Sequence, residues 1–236
     1  MLVAAAVCPC PPLLVPDVAA GAASELDGLR AACLDAVAVL AAARPDRLVV
    51  VGPAPHTADG PYPQGSPGSF RGLGVDLDVR LGAGDPAAER ALPQSLAVAA
   101  WLLERTEWAA APVEGLGVGA ALERERCLET GRELAVTAGR TALLVMGDGS
   151  ACRTVKAPGY LDERAEPFDA EAARALGAAD TAALAALDPG LARELQAAGR
   201  APWQVLAGAG EGAGLSGALL YDEAPYGVGY LVAAWS

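Results

Sequence analysis

The stretch TALLVM, Thr141–Met146, followed at once by Gly147, Asp148, Gly149 and Ser150, decides the fold class. A nearly continuous apolar run closed by a glycine-rich turn reads as a strand buried on both faces. RLVVV, Arg47–Val51, reads the same way between Pro45 and Gly52-Pro53. So does Leu2–Val7, ahead of a proline-rich loop that runs to Pro16. Between the first two of these strands in the chain, Leu26, Leu29, Cys33, Val37 and Leu40 recur at helical spacing, with Ser24 as candidate N-cap. Further helices are predicted over Pro93–Thr106, over Glu123–Gly139 with Gly139 as C-cap, over Phe168–Leu187, over Gly190–Gly199 and over Pro202–Ala209. Val75–Leu81 alternates apolar and charged residues, as an edge strand does, and Gly52–Gly74 reads as a long loop. Gly217–Tyr221 and Gly227–Trp235 read as two strands around the turn Asp222–Pro225.

Strands alternating with helices predict an α/β fold of three layers. Its central sheet is mostly parallel, with helices on both faces, and the last two strands form an antiparallel pair. No linker or repeat divides the chain, so residues 1–236 are expected to form one domain.

Composition narrows the functional classes. The net charge of −12 argues against a nucleic-acid partner, which requires a basic surface. No apolar run reaches the roughly 18–20 residues that span a bilayer, so no membrane partner is expected. The opening MLVAAAVCPCPPLLVP invites a leader-peptide reading, but it lacks a basic start and is broken at Pro9, Pro11 and Pro12. A strand and loop in a cytoplasmic protein is the expectation. Five cysteines, an odd number in a long chain, do not suggest a secreted disulfide scaffold. Cys8-Pro9-Cys10 is a weak metal signal by itself.

The candidate chemistry gathers after the strands. Cys10 follows the first, His56 (the only histidine) follows the second, Asp148 and Ser150 follow TALLVM, and Glu223 lies in the C-terminal turn. Each alone has a bland explanation: a surface histidine, a turn-capping aspartate, a small buried cysteine, a solvated glutamate. Together they project from carboxyl ends of strands in one sheet, where open α/β sheets bind ligands. Arg71 and Arg153 are candidates for holding an anionic group.

In chain order, five segments resemble the class III extradiol dioxygenase (LigB-like) superfamily, including its Memo-like branch. Pro9–Pro16 is similar to the opening PHPP motif, and Val51–His56 to the S-P-H after the second strand. Leu144–Ser150 is similar to S-G-D-L-S-H, Ala157–Asp169 to A-P-x-G…F-D, and Tyr221–Tyr230 to Y-E-G-P-F-G-V-G-Y. The resemblance implies an Fe(II) site of two histidines and one glutamate, open to O₂ and a catechol, with a further histidine as acid–base catalyst. Carried onto this chain, His56 and Glu223 keep the second and third ligands. Cys10 replaces the first, and Ala151 replaces the acid–base histidine.

Alanine cannot move a proton, so the resemblance implies a remodelled site that does not cleave catechol rings. Cys10, His56 and Glu223 could hold zinc or Fe(II), or no metal at all. Three alternatives stay open: an enzyme of altered chemistry using Cys10 as nucleophile or ligand with His56 as base and Glu223 as support, a working non-haem iron dioxygenase, and a non-catalytic interaction scaffold; Cys10, His56 and Asp148 are the catalytic candidates. The expected partner is a small molecule, and the resemblance also suggests a homodimer.

Overall fold

The computed structural model describes residues 1–84, 90–137 and 139–236. The strands are β1 Leu2–Cys8, β2 Arg47–Ala54, β3 Gly60–Tyr62, β4 Pro67–Ser69, β5 Asp78–Arg80, β6 Val113–Gly119, β7 Thr141–Met146, β8 Gly217–Glu223 and β9 Tyr230–Trp235. The helices are α1 Pro16–Ala19, α2 Asp27–Ala42, α3 Gln94–Arg105, α4 Arg124–Val136, α5 Ala165–Gly177, α6 Thr181–Ala186, α7 Pro189–Glu194 and α8 Arg200–Gly210. Seven strands form one sheet in the order β3-β6-β2-β7-β1-β9-β8. The inner strands β6, β2, β7 and β1 are parallel, while β9 runs antiparallel to both β1 and β8. This is the α/β architecture read from the sequence, with its antiparallel C-terminal pair.

The apolar runs work because successive side chains point to opposite faces, and both faces are covered. Cys8, Val50, Leu144 and Met146 pack with Leu29, Cys33 and Val37 of α2 and Leu96 of α3. Val7, Val49, Leu143 and Val145 pack on the other face with Phe168 of α5 and Trp203 of α8. Glycine brings α4 against α8. A Cβ on Gly131 would sit 2.0 Å from the Val205 carbonyl oxygen, and one on Gly208 would sit 2.1 Å from that of Leu128. At the amino ends of the strands, Arg47 ties β2 to β7 through Thr141 Oγ1 (3.0 Å) and to β6 through Glu114 (2.8 Å).

Several expectations shift. The long loop after β2 contains two short strands. β3 extends the main sheet as an antiparallel edge beside β6, a position that tolerates Pro61. The alternating stretch Val75–Leu81 contributes only β5, which pairs with β4 in a separate two-stranded sheet instead of joining the main one. The helix expected over Phe168–Leu187 is two helices. Ala179 takes a left-handed φ of 51°, and Asp180 then caps α6 by accepting from the Ala183 N–H at 2.9 Å. Asp188 caps α7 in the same way, through the Leu191 N–H at 2.6 Å. Ser24 does not cap α2, because a stretch of 3₁₀ helix over Ala20–Leu26 precedes it. α4 ends at Val136. Residue 138, inside the predicted span to Gly139, lies outside the described residues. Among the described residues, no helix is long and apolar enough to cross a membrane.

The connections place the ligand edge. α2 and α3 leave β1 and β2 toward one face, whereas α4 leaves β6 and α5 leaves β7 toward the other. Neighbouring strands whose chains depart to opposite sides open a crevice at their carboxyl ends. The neighbouring pairs β2/β6, β2/β7 and β1/β7 all meet this condition.

Candidate functional site

Strand register brings Cys10 and Asp148 together. Cys8 lies opposite Met146 in the parallel β1/β7 ladder, so the residues two further along each strand leave the sheet at the same level. There the Cys10 backbone N–H donates to Asp148 Oδ1 at 2.7 Å. A close backbone contact fixes the turn that carries Asp148. A Cβ on Gly147 would fall 2.4 Å from the Gly199 Cα, and the Gly199 N–H donates to the Asp148 carbonyl at 2.8 Å. Ser150, fully buried, is held from behind by Asp169, whose carboxylate accepts from Ser150 N (2.7 Å), Ser150 Oγ (2.7 Å) and Arg153 Nη1 (3.3 Å).

The electrostatics of this pair are set by burial. Asp148 is half-buried, and loss of water lifts its carboxyl to about 6 even though the Cys10 N–H favours the ionised form. A carboxyl in that range holds and releases a proton near neutral pH. The Cys10 thiol is pushed well up by burial, then by the charges of Asp148 and Cys8. It is therefore held as the neutral thiol, the opposite of the lowered pKa that a nucleophilic cysteine requires. Tyr230 packs nearby, and its phenol is raised by burial and by Asp148.

His56 lies elsewhere. β2 runs on to Ala54, level with Gly119 of β6, and a single turn of 3₁₀ helix, His56–Ala58, follows. That turn swings the imidazole outward, so its side chain is fully exposed and its Nδ1 meets Asp59 Oδ2 at 3.2 Å. The pair borders a cleft of ≈ 480 Å³ at the ends of β2 and β6, lined by Pro55, His56, Asp59 and Gly119–Leu122. Asp59 Oδ1 lies over Gly119, buried and without a donor among the described residues.

Glu223 is the last residue of β8, exposed, and accepts from the Tyr221 hydroxyl at 3.0 Å. Burial first, and then that bond, lift the tyrosine to about 12. Ala151 is buried, and its N–H donates to the Leu195 carbonyl at 2.9 Å.

Cys10, His56 and Glu223 therefore do not fit a metal as arranged. One is a core thiol, one a solvent-facing imidazole, and one an exposed carboxylate bound to a tyrosine. Among the described residues, no three His, Cys, Asp or Glu side chains gather closely enough to hold a metal ion. The two arginines singled out for anions are already engaged. Arg71 pairs with Asp76 (2.8 Å) and Asp78 (2.7 Å), and Arg153 pairs with Asp169. Reading the sequence missed Asp59, three residues after the histidine, and the buried Arg200. The His-x-x-Asp spacing could have suggested the first.

No family model matches the chain, and no curated protein matches it. Among solved structures, it is similar to the crystal structure of uncharacterized protein JW3007 from Escherichia coli K12. The TM-score is 0.56 at 13% identity, covering 99% of each chain. At that identity the likeness is one of fold.

Proposed function

We propose that this chain is a divergent LigB-like protein that binds a small molecule at the carboxyl edge of its sheet and does not cleave catechol rings. The observation that supports this most is the dispersal of the residues that the resemblance would make metal ligands. His56 faces solvent beside Asp59, Cys10 sits in the core, and Glu223 serves Tyr221. Ala151, where the resemblance places the acid–base catalyst, has no titratable group. The His56–Asp59 cleft is the place for the ligand, because it opens between two strands whose connections diverge and has room for a small molecule.

One observation favours a second reading, an enzyme of altered chemistry. Asp148, lifted to about 6 at the end of β7, is suited to moving a proton near neutral pH. In that reading Asp148 is the acid–base group, and Cys10 positions it through its backbone N–H.

Oxygen uptake and ring-opened product with catechol, measured after anaerobic Fe(II) loading, test the first reading. No turnover above a protein-free Fe(II) blank is expected. Turnover that exceeds the blank and disappears in His56→Ala would overturn it.

A further inference from the structure

A second cleft, of ≈ 280 Å³, adjoins the first and shares Ala120 and Ala121 with it. Its far wall is the turn between α7 and α8, with Arg193, Gln196 and Arg200 among alanines, and none of its lining residues is acidic. Arg200 opens α8 and is 3% exposed. Its Nη1 donates to the Leu122 carbonyl (2.7 Å), to Gln204 Oε1 (3.0 Å) and, at 3.8 Å, to Cys127 Sγ, and its Nη2 donates to the Ala120 carbonyl. These oxygens are all neutral. Among the described residues, neither Arg200 nor Arg193 has a carboxylate within ion-pair distance. Glu194, next to Arg193, is bound instead to Arg164 at 2.7 Å.

A buried charge is ordinarily paired, because desolvation without a counterion is costly. Burial holds the Arg200 guanidinium below the ordinary arginine range, although Cys127 and Glu123 partly offset it, and the charge of Arg193 acts in the same direction as burial. A guanidinium carries five N–H donors. Among the described residues, Nε–H and one N–H of Nη2 have no acceptor, and the exposed Arg193 and Gln196 side chains donate to none. Two cations and an amide thus converge on one small-walled cleft in a chain of net charge −12. The same desolvated setting that leaves Arg200 without a counterion would strengthen its attraction for an incoming anion.

We propose that this cleft binds a small oxyanion, a phosphate or carboxylate group, between Arg193 and Arg200, with Gln196 as a further donor. The proposal rests on these contacts and not on the reading of the His56 cleft.

Isothermal titration calorimetry of the full chain at low ionic strength tests it, with inorganic phosphate and succinate as separate probes. Saturable one-to-one binding of at least one probe is expected, and the stronger probe identifies the oxyanion class. Arg193→Gln, on the surface and away from the core, should weaken binding about tenfold, as loss of one charge-assisted contact does. Arg71→Gln serves as the control and should leave binding unchanged. Arg200→Gln should abolish binding if it folds, but the test stands on Arg193. No saturable heat with either probe, or equal affinity in wild type and Arg193→Gln, would overturn the proposal.

Discussion

Replacing Asp169 by alanine is expected to cost about 3 kcal/mol of stability and to lower the melting temperature by roughly 10 °C. Asp169 is 1% exposed, and its carboxylate takes both polar hydrogens of Ser150 together with Arg153. Alanine would leave the buried Ser150 N–H and hydroxyl without their acceptor and would strand Arg153 beside only the distant Glu166, at 3.8 Å. Two glycines close the remaining space, since a Cβ on Gly149 or Gly229 would lie 2.7 Å or 2.5 Å from the Asp169 oxygens. Neighbouring groups are packed onto the carboxylate, so no other side chain can take its place. Thermal and urea unfolding of Asp169→Ala measure the loss. A variant as stable as wild type would show that the turn after β7 is not held from this side.

Asp148→Asn should have an effect of similar size and opposite sign. The folded protein raises the Asp148 carboxyl from 3.8 to about 6. The sign follows from proton counting: between those two values the folded state holds the proton and the unfolded state has released it. Its contribution is complete below 3.8 and is lost as pH climbs through about 6. A shift of this size corresponds to at most about 3 kcal/mol. Asparagine keeps an oxygen for the Cys10 N–H and carries no charge to desolvate. At pH 8 the variant should therefore be more stable than wild type by up to about 3 kcal/mol, and at pH 4 nearly equal to it. Urea midpoints of both proteins at the two pH values decide this, because other titrating groups cancel in the comparison. Parallel pH profiles would mean that Asp148 is ionised as freely as in water, and the acid–base reading of this residue would go with it.

The layout of the sheet was legible because β1 is apolar along its whole length, and β2 and β7 are apolar beyond their first residues, Arg47 and Thr141, a pattern that a strand covered on both faces requires. The split of α5 from α6 was not legible, since Ala179 turns left-handed within an alanine-rich run that reads as continuous helix. β3 and β4 were hidden by Pro61 and Pro67, residues that argue against strands except at edges. The candidate site was legible in part. Cys10 and Asp148 were placed after strands, and register alone made them partners. His56 was placed at the correct strand end. Its orientation depended on β2 continuing to Ala54 and on one turn of 3₁₀ helix beyond it, neither of which apolar patterning encodes. Arg200 was invisible for a different reason: an arginine at a helix start reads as surface. Its burial comes from α8 packing against the turn after β6, a contact between segments some eighty residues apart.

Metal retention tests the central claim, that Cys10, His56 and Glu223 do not act together. The protein should be loaded anaerobically with Fe(II) or with Zn²⁺, desalted and analysed for metal, beside Cys10→Ala and His56→Ala. The expected result is no stoichiometric metal in any of the three. About one equivalent held by wild type and lost in both variants, as a shared three-ligand site requires, would contradict it.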